Sequence, residues 1–244
     1  MEPWVIERLN NLNLAFYQAV AHDFDQTRGS AWPGWQRLLP HLGRLPIPAR
    51  VLDAGCGNGR FGVFLAQAGV ACRYHGLDSS PELIARAQAA LGAYPQLQAA
   101  LMVGDLLTYD VPPGWDFIGL FGVLHHVPGL ATRARLVARL AASLNPGGIL
   151  AFAAWRFLES DRLRARVLPW DDDLAAWVEP HDYLLDWRQG ERAVRYCHYV
   201  DDAEQQALEA ATGLALLERY RADGADGQMN AYSLLVRPFS PAPP

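Results

Sequence analysis

The 244-residue chain contains no lysine: all 21 of its basic residues are arginine. Without an ε-amino group no side chain can form a Schiff base, and a Gly-Lys-Ser/Thr phosphate loop is excluded. Cysteine is scarce too. Cys56, Cys72 and Cys197 are odd in number and far apart, so they make neither a disulfide framework nor a zinc spacing. No apolar run reaches the roughly 20 residues a membrane span needs. The opening Met1-Glu2-Pro3-Trp4 has no basic region ahead of an apolar stretch, so no signal peptide is visible. A cytoplasmic protein without a membrane contact is expected. The net charge of −5 gives no global field that would gather nucleic acid. There is no internal repeat. The length fits one large domain, or one domain with an insertion.

What the chain does have is Val51-Leu52-Asp53-Ala54-Gly55-Cys56-Gly57-Asn58-Gly59-Arg60. Arg50–Ala54 reads as a buried strand and Phe61–Gln67 as a helix, with three glycines at alternate positions between them. Such a turn bends sharply and brings backbone close to a ligand, while the helix start offers N–H groups and a partial positive charge. The G-x-G-x-G spacing differs from the dinucleotide G-x-G-x-x-G. A turn with no ligand is the plainer reading of three glycines alone. The stretch resembles motif I of the class I S-adenosylmethionine methyltransferases. The resemblance implies S-adenosylmethionine as cofactor, S-adenosylhomocysteine as product, and Asp53, Gly55, Cys56 and Gly57 as cofactor-binding residues, with the two glycines against the methionine part.

Apolar periodicity predicts helices over Val5–Asp23 and Trp32–Leu42. Strands follow at Ala71–Leu77, Leu97–Val103, Trp115–Phe121 and Ile149–Ala154. Ser79-Ser80-Pro81-Glu82 starts a helix that runs to about Leu91. Leu130–Leu144 reads as a helix with Arg133, Arg135 and Arg139 outward, stopped by Asn145-Pro146-Gly147-Gly148. Arg156–Arg192 shows no regular period. Asp201–Ala211 is a helix, and Leu214–Arg221 and Met229–Val236 form a hairpin about Asp223–Gly227. The expected fold is α/β: a doubly wound, mostly parallel, seven-stranded Rossmann-like sheet. The expected divisions are a helical cap (1–48), a core (49–155), a lid-like insertion (156–192), a completing helix and hairpin (193–237) and a disordered tail (238–244).

Asp78 ends the second strand, where an acid can accept both hydroxyls of a ribose; a helix-capping role is the alternative. Asp105 ends the third strand, either as a turn aspartate or, as the resemblance implies, as acceptor for an adenine amino group, with Leu106 supplying the neighbouring N–H. Ser79 and Phe121 join the cofactor set. The loop Phe121-Gly122-Val123-Leu124-His125-His126-Val127 leaves the fourth strand at the carboxyl end of the sheet, where ligands bind. His125 or His126 is a candidate base or donor. Neither has a zinc spacing, and no metal is expected.

Further segments carry a closer resemblance: Phe24-Asp25-Gln26-Thr27-Arg28 followed by Trp32-Pro33, the paired histidines, Asp182–Trp187, and Arg195-Tyr196-Cys197-His198-Tyr199. Together they look like the tRNA wobble-uridine 5-carboxymethyl methyltransferases. That resemblance implies a carboxylate acceptor on tRNA and a small activator subunit as partner. A carboxylate needs cations or donors to orient it, and Arg28, Arg195 and a histidine are the candidates. Two other functions remain open. One is a small-molecule O- or N-methyltransferase, with Arg156–Arg192 as lid. The other is a non-catalytic partner that binds the cofactor.

Overall fold

Val51 and Asp53 point to one face of the first strand and Leu52 and Ala54 to the other, and all four are buried. Burial on both faces marks a central parallel strand covered by helices on each side. The structure is a computed structural model. It describes the backbone of residues 1–26, 30–170, 172–188 and 192–239, and the side chains of these except 21–26 and 172.

Helix α1 (Pro3–Gln26) leads to a 3₁₀ turn at Pro33–Leu38 and a single turn, α2 (Leu39–Leu42). The continuous helix expected over Trp32–Leu42 is thus broken. Pro40 lacks the N–H group that an α ladder would use there, whereas Pro33 sits in the first turn, where proline is tolerated. The core then alternates: β1 (Ala49–Ala54), α3 (Arg60–Gln67), β2 (Cys72–Asp78), α4 (Pro81–Gly92), β3 (Gln98–Val103), β4 (Trp115–Phe121), α5 (Leu130–Ala142) and β5 (Leu144–Trp155). Beyond a middle section come α8 (Asp202–Thr212), β9 (Ala215–Ala222) and β10 (Asn230–Val236). The seven-stranded order is β3-β2-β1-β4-β5-β10-β9, with only β10 antiparallel to its neighbours β5 and β9. Phe61, Phe64 and Leu65 of α3 pack with Trp35 and Leu38 on one face. Leu136, Val137 and Leu140 of α5 pack with Leu208 of α8 on the other. This is the doubly wound sheet that the alternation predicts.

The middle section departs from expectation. Arg156–Arg192 holds short helical turns α6 (Asp161–Arg164) and α7 (Asp172–Ala175), and strands β6 (Val167–Leu168) and β7 (Asp182–Trp187). With β8 (Ala193–His198) these strands form a second, antiparallel sheet, order β6-β7-β8. A boundary between 192 and 193 therefore cuts a hairpin, and β8 belongs with the insertion. The period was hidden because β7 buries residues of both parities, Asp182, Leu185 and Trp187. The sheet packs on α1 through Tyr196 against Val5 and Leu9.

Helix α5 brings two corrections. It ends at Ala142, and Asn145–Gly148 lies inside β5 across a register shift. Arg133 does not face outward: its side chain is 0% exposed. Its guanidinium donates to Glu204 of α8 at 2.6 Å, to the Val127 carbonyl at 2.8 Å and to Glu179 at 3.1 Å. Among the described residues no helix is long and apolar enough to cross a membrane.

Candidate active site

The glycine turn is tied to the end of the neighbouring strand. Gly55 and Cys56 donate their N–H groups to the Leu77 carbonyl at 2.8 and 3.0 Å. Gly57 donates to Asp78 Oδ2 at 2.8 Å. Gly55 has φ +81°, and a Cβ there would stand 2.3 Å from Val123 Cγ2 in the loop after β4. Only glycine lets the backbone pass that close in a left-handed conformation. Gly57, at φ +53°, has nothing within 4 Å of a Cβ position, so its glycine answers the backbone angle and open space.

Three carboxylates stand at the ends of the adjacent strands β1, β2 and β3. Asp78 holds two amides, Gly57 through Oδ2 and Ser80 through Oδ1 at 3.0 Å. The cap of α4 is Ser80, whose Oγ accepts from Leu83 N–H at 3.2 Å. The capping role therefore belongs to Ser80, two residues on, and the Asp78 carboxylate braces the glycine loop. Burial raises its pKa against the pull of those amides. Asp105 accepts from Leu107 N–H at 2.9 Å, which shapes the turn that presents Leu106. Asp53 is buried and accepts from Tyr74 O–H at 2.7 Å. Burial pushes its pKa up to about 7, with Asp78 adding to the rise while Tyr74 and Arg60 oppose it. A cationic ligand favours the ionised carboxylate. Calorimetric affinity for S-adenosylmethionine is therefore expected to strengthen from about pH 6 to about pH 8, across that value. The Cys56 thiol is pushed far up, by burial first and then by Asp53 and Asp78, so it is no nucleophile at neutral pH.

These residues line a cavity of about 450 Å³, within the range of small-molecule sites. Every cofactor-binding residue expected from the sequence borders it: Asp53, Gly55, Cys56, Gly57, Asp78, Ser79, Asp105, Leu106 and Phe121. The glycine cradle, the acids at the strand ends and the apolar floor suit a ligand with both charged and aromatic parts, as S-adenosylmethionine has.

The two histidines differ in what they face. Leu124–His126 is a 3₁₀ turn, and the two rings remain in contact, their centroids 4.0 Å apart. His126 borders the cavity, and its Nε2 lies 2.6 Å from Tyr17 Oη. His125 is buried behind it, its ring 5.0 Å from that of Trp155. Arg195 is also buried and does not border the cavity. Its guanidinium lies 5.0 Å from the Trp155 ring and 5.3 Å from that of Phe16, joining β8 to α1. Arg28 lies outside the described residues. Ligand atoms of His125, His126 and Cys197 come within 4.8 Å of one another. Tyr17 and Asn13 contact the two nitrogens of His126 in this arrangement, and ligand atoms of Glu179, Asp182 and His198 form a second such group.

Helix α1 supplies a wall of the cavity that none of the sequence motifs marks. Asn10, Asn11, Asn13, Leu14 and Tyr17 all border the cavity, as do Trp32 and Trp35. The signal was present. Asparagine is a poor helix former, and three of them in four positions of one helix, Asn10, Asn11 and Asn13, call for a reason outside the helix.

Residues 52–150 match the family described as "Methyltransferase domain". A protein of Encephalitozoon cuniculi named as a methyltransferase is 30% identical over 185 residues, covering 75% of this chain and 77% of that one. A Methylobacterium nodulans trans-aconitate 2-methyltransferase is 37% identical over 52% of this chain and 47% of its own length. The Mus musculus tRNA (carboxymethyluridine(34)-5-O)-methyltransferase is 30% identical over 57% of this chain, which spans only 19% of that protein. Among solved structures, a SAM-dependent methyltransferase of Methanosarcina mazei superposes with a TM-score of 0.66 at 18% identity, covering 86% of this chain and 100% of that one.

Proposed function

Because the chain belongs to the class I S-adenosylmethionine-dependent methyltransferases, we propose that it methylates a carboxylate oxygen of its acceptor, with the carboxymethyl group of a tRNA wobble uridine as first candidate. Bound in the cavity, S-adenosylmethionine supplies an electrophilic methyl group on a sulfonium. Asp53, Asp78, Asp105 and Leu106, with the Gly55–Gly57 turn, are the residues that would hold it.

The observation that carries the acceptor reading is the division of the cavity lining. Its described carboxylates, Asp53, Asp78 and Asp105, all sit at strand ends, and the α1 side offers amides, a phenol and the His126 imidazole instead. An amine or alcohol acceptor has a proton to lose and calls for a base. A carboxylate is ionised at neutral pH and needs only donors that orient it, so proximity and alignment carry the rate. Two of the relatives name carboxylate-bearing acceptors, carboxymethyluridine and trans-aconitate.

A free small acid is the second reading. The net charge of −5 favours it over a polyanion. The tRNA reading brings with it a small activator subunit, so its assay uses the chain both alone and as purified from its own cells. The deciding experiment supplies methyl-labelled S-adenosylmethionine with bulk tRNA or with trans-aconitate, then treats the product with mild base. A methyl ester releases its label, whereas an N-methyl or ether product keeps it. Base-resistant label would end the carboxylate reading.

Arg28 is proposed to clamp an anion bidentately, a geometry that lysine does not reproduce. Arg28→Lys is expected to lower kcat/KM by about 10–100-fold with folding preserved. Wild-type turnover would remove Arg28 from the site.

A further inference from the structure

The orientation of one buried amide fixes the proton positions on the acceptor side of this cavity. Asn13 lies within α1 and is 6% exposed. The backbone N–H of Tyr196, in β8, donates to one end of its carboxamide at 3.0 Å. An N–H cannot donate to an NH₂ group, so that end is Oδ1. The NH₂ end then faces His126, with Nδ2 3.4 Å from the ring Nδ1 and 3.4 Å from the His126 carbonyl. An amide NH₂ has two protons to give and nothing to accept with. One goes to the carbonyl, and Nδ1 must meet the other with a lone pair.

A neutral imidazole with its lone pair on Nδ1 carries its proton on Nε2. That nitrogen lies 2.6 Å from Tyr17 Oη. The imidazole therefore donates, the phenol oxygen accepts, and the hydroxyl proton of Tyr17 is directed away from His126. Both rings border the cavity.

We propose that Tyr17 is an acceptor-binding residue that donates a hydrogen bond to the acceptor oxygen, and that Asn13 and His126 are positioning residues that set the direction of that donor. The relay runs from the Tyr196 amide through Asn13 and His126 to Tyr17, so the second sheet and α1 act together on the site. The inference rests on the methyl-transfer reading of the cavity. It requires an acceptor that presents an oxygen to Tyr17, whichever molecule carries it. With a carboxylate acceptor the donor has a defined kinetic effect. The carboxylate loses its negative charge as the O–CH₃ bond forms and the S–CH₃ bond breaks, so a hydrogen bond to it is strongest in the ground state. Tyr17 should then act on the acceptor KM far more than on kcat.

The first measurement needs no acceptor. In ¹⁵N-histidine-labelled protein, the His126 resonances are expected to show Nε2 protonated and Nδ1 not. In Asn13→Asp the Tyr196 contact is kept, but the second oxygen now demands a proton, so Nδ1 should become protonated. At alkaline pH, where that ring is neutral, Nε2 would then accept from Tyr17 and draw its proton back. Tyr17→Phe is expected to raise the acceptor KM by about 10- to 100-fold, the loss of one bond to a charged group, while its S-adenosylhomocysteine affinity stays at the wild-type value. Asn13→Asp at alkaline pH should approach the same KM. The acceptors used are bulk tRNA and trans-aconitate. A wild-type His126 protonated on Nδ1, or a Tyr17→Phe enzyme with unchanged acceptor KM, would overturn the proposal. Base-resistant product with the expected tautomer would instead count against the carboxylate reading alone.

Discussion

Asp78→Ala is expected to weaken S-adenosylmethionine binding by about 2–3 kcal/mol, roughly 30- to 150-fold in Kd. The side chain does two things that alanine cannot. It braces the glycine turn through Gly57 N–H and the start of α4 through Ser80 N–H. It also brings a carboxylate to the cavity at the end of β2, where a ribose would meet it. Each carboxylate oxygen has a further lone pair beyond the amide it already holds, so bracing and ligand binding are compatible. Asp78→Asn weakens both roles while keeping a side chain of the same shape. Its oxygen can keep one amide, but its NH₂ must face the other N–H, and the negative charge is gone. Calorimetry on the three proteins decides the matter. If Asp78→Ala binds S-adenosylmethionine as wild type does, the residue is a brace alone.

The largest stability effect is expected at Arg133. Arg133→Met should cost about 3–5 kcal/mol, the range for removing one partner from a buried ion pair. The guanidinium is fully buried and meets Glu204, Glu179 and the Val127 carbonyl. Behind it, His198 contacts Asp182 through Nδ1 and Glu204 through Nε2, each at 2.7 Å. Methionine fills much of the volume but leaves these acids without their cation. The double variant Arg133→Met/Glu204→Leu should recover part of the loss, because an ion pair replaced by apolar groups on both sides is often neutral. Urea midpoints measure both variants, and a wild-type midpoint for Arg133→Met would contradict the account.

The same cluster sets a pH window. Burial lowers the His198 pKa, but the bonds to Asp182 and Glu204 outweigh it, and the net shift is upward from 6.5. Its contribution to stability is complete below 6.5 and is lost as pH rises through the raised value. Burial raises the Glu204 pKa, but His198 and Arg133 outweigh it, and the net shift is downward from 4.5. That contribution is complete above 4.5 and is lost as pH falls through the lowered value. The cluster therefore stabilises most between those two pH values, and the wild-type advantage over His198→Asn should peak there.

Much of the cofactor side was legible in the chain itself. Strand, glycine turn and helix are local elements, and the rules that shape them act over a few residues. Asp78 and Asp105 could be placed because each stands where a strand ends, and parallel strands with right-handed crossovers bring those ends to one edge; Asp53 came with the resemblance of the glycine motif. The family resemblance of the glycine motif named the cofactor that this edge suits.

The acceptor side and the buried charges depended on distance in the chain. Helix periodicity marked Arg133 as outward because its partners Glu179 and Glu204 are 46 and 71 residues away. Nothing nearby signals that a guanidinium will be paid for by acids so remote. Asn13 meets Tyr196 across 183 positions and His126 across 113, and only the packing of α1 on β8 and the 3₁₀ turn makes those contacts. The choice between His125 and His126 has the same origin. Two adjacent, chemically identical side chains differ only in the direction the backbone turns them. Sequence pattern determines what a segment folds into locally. Which lone pair faces which proton is settled by the three-dimensional packing of segments far apart in the chain.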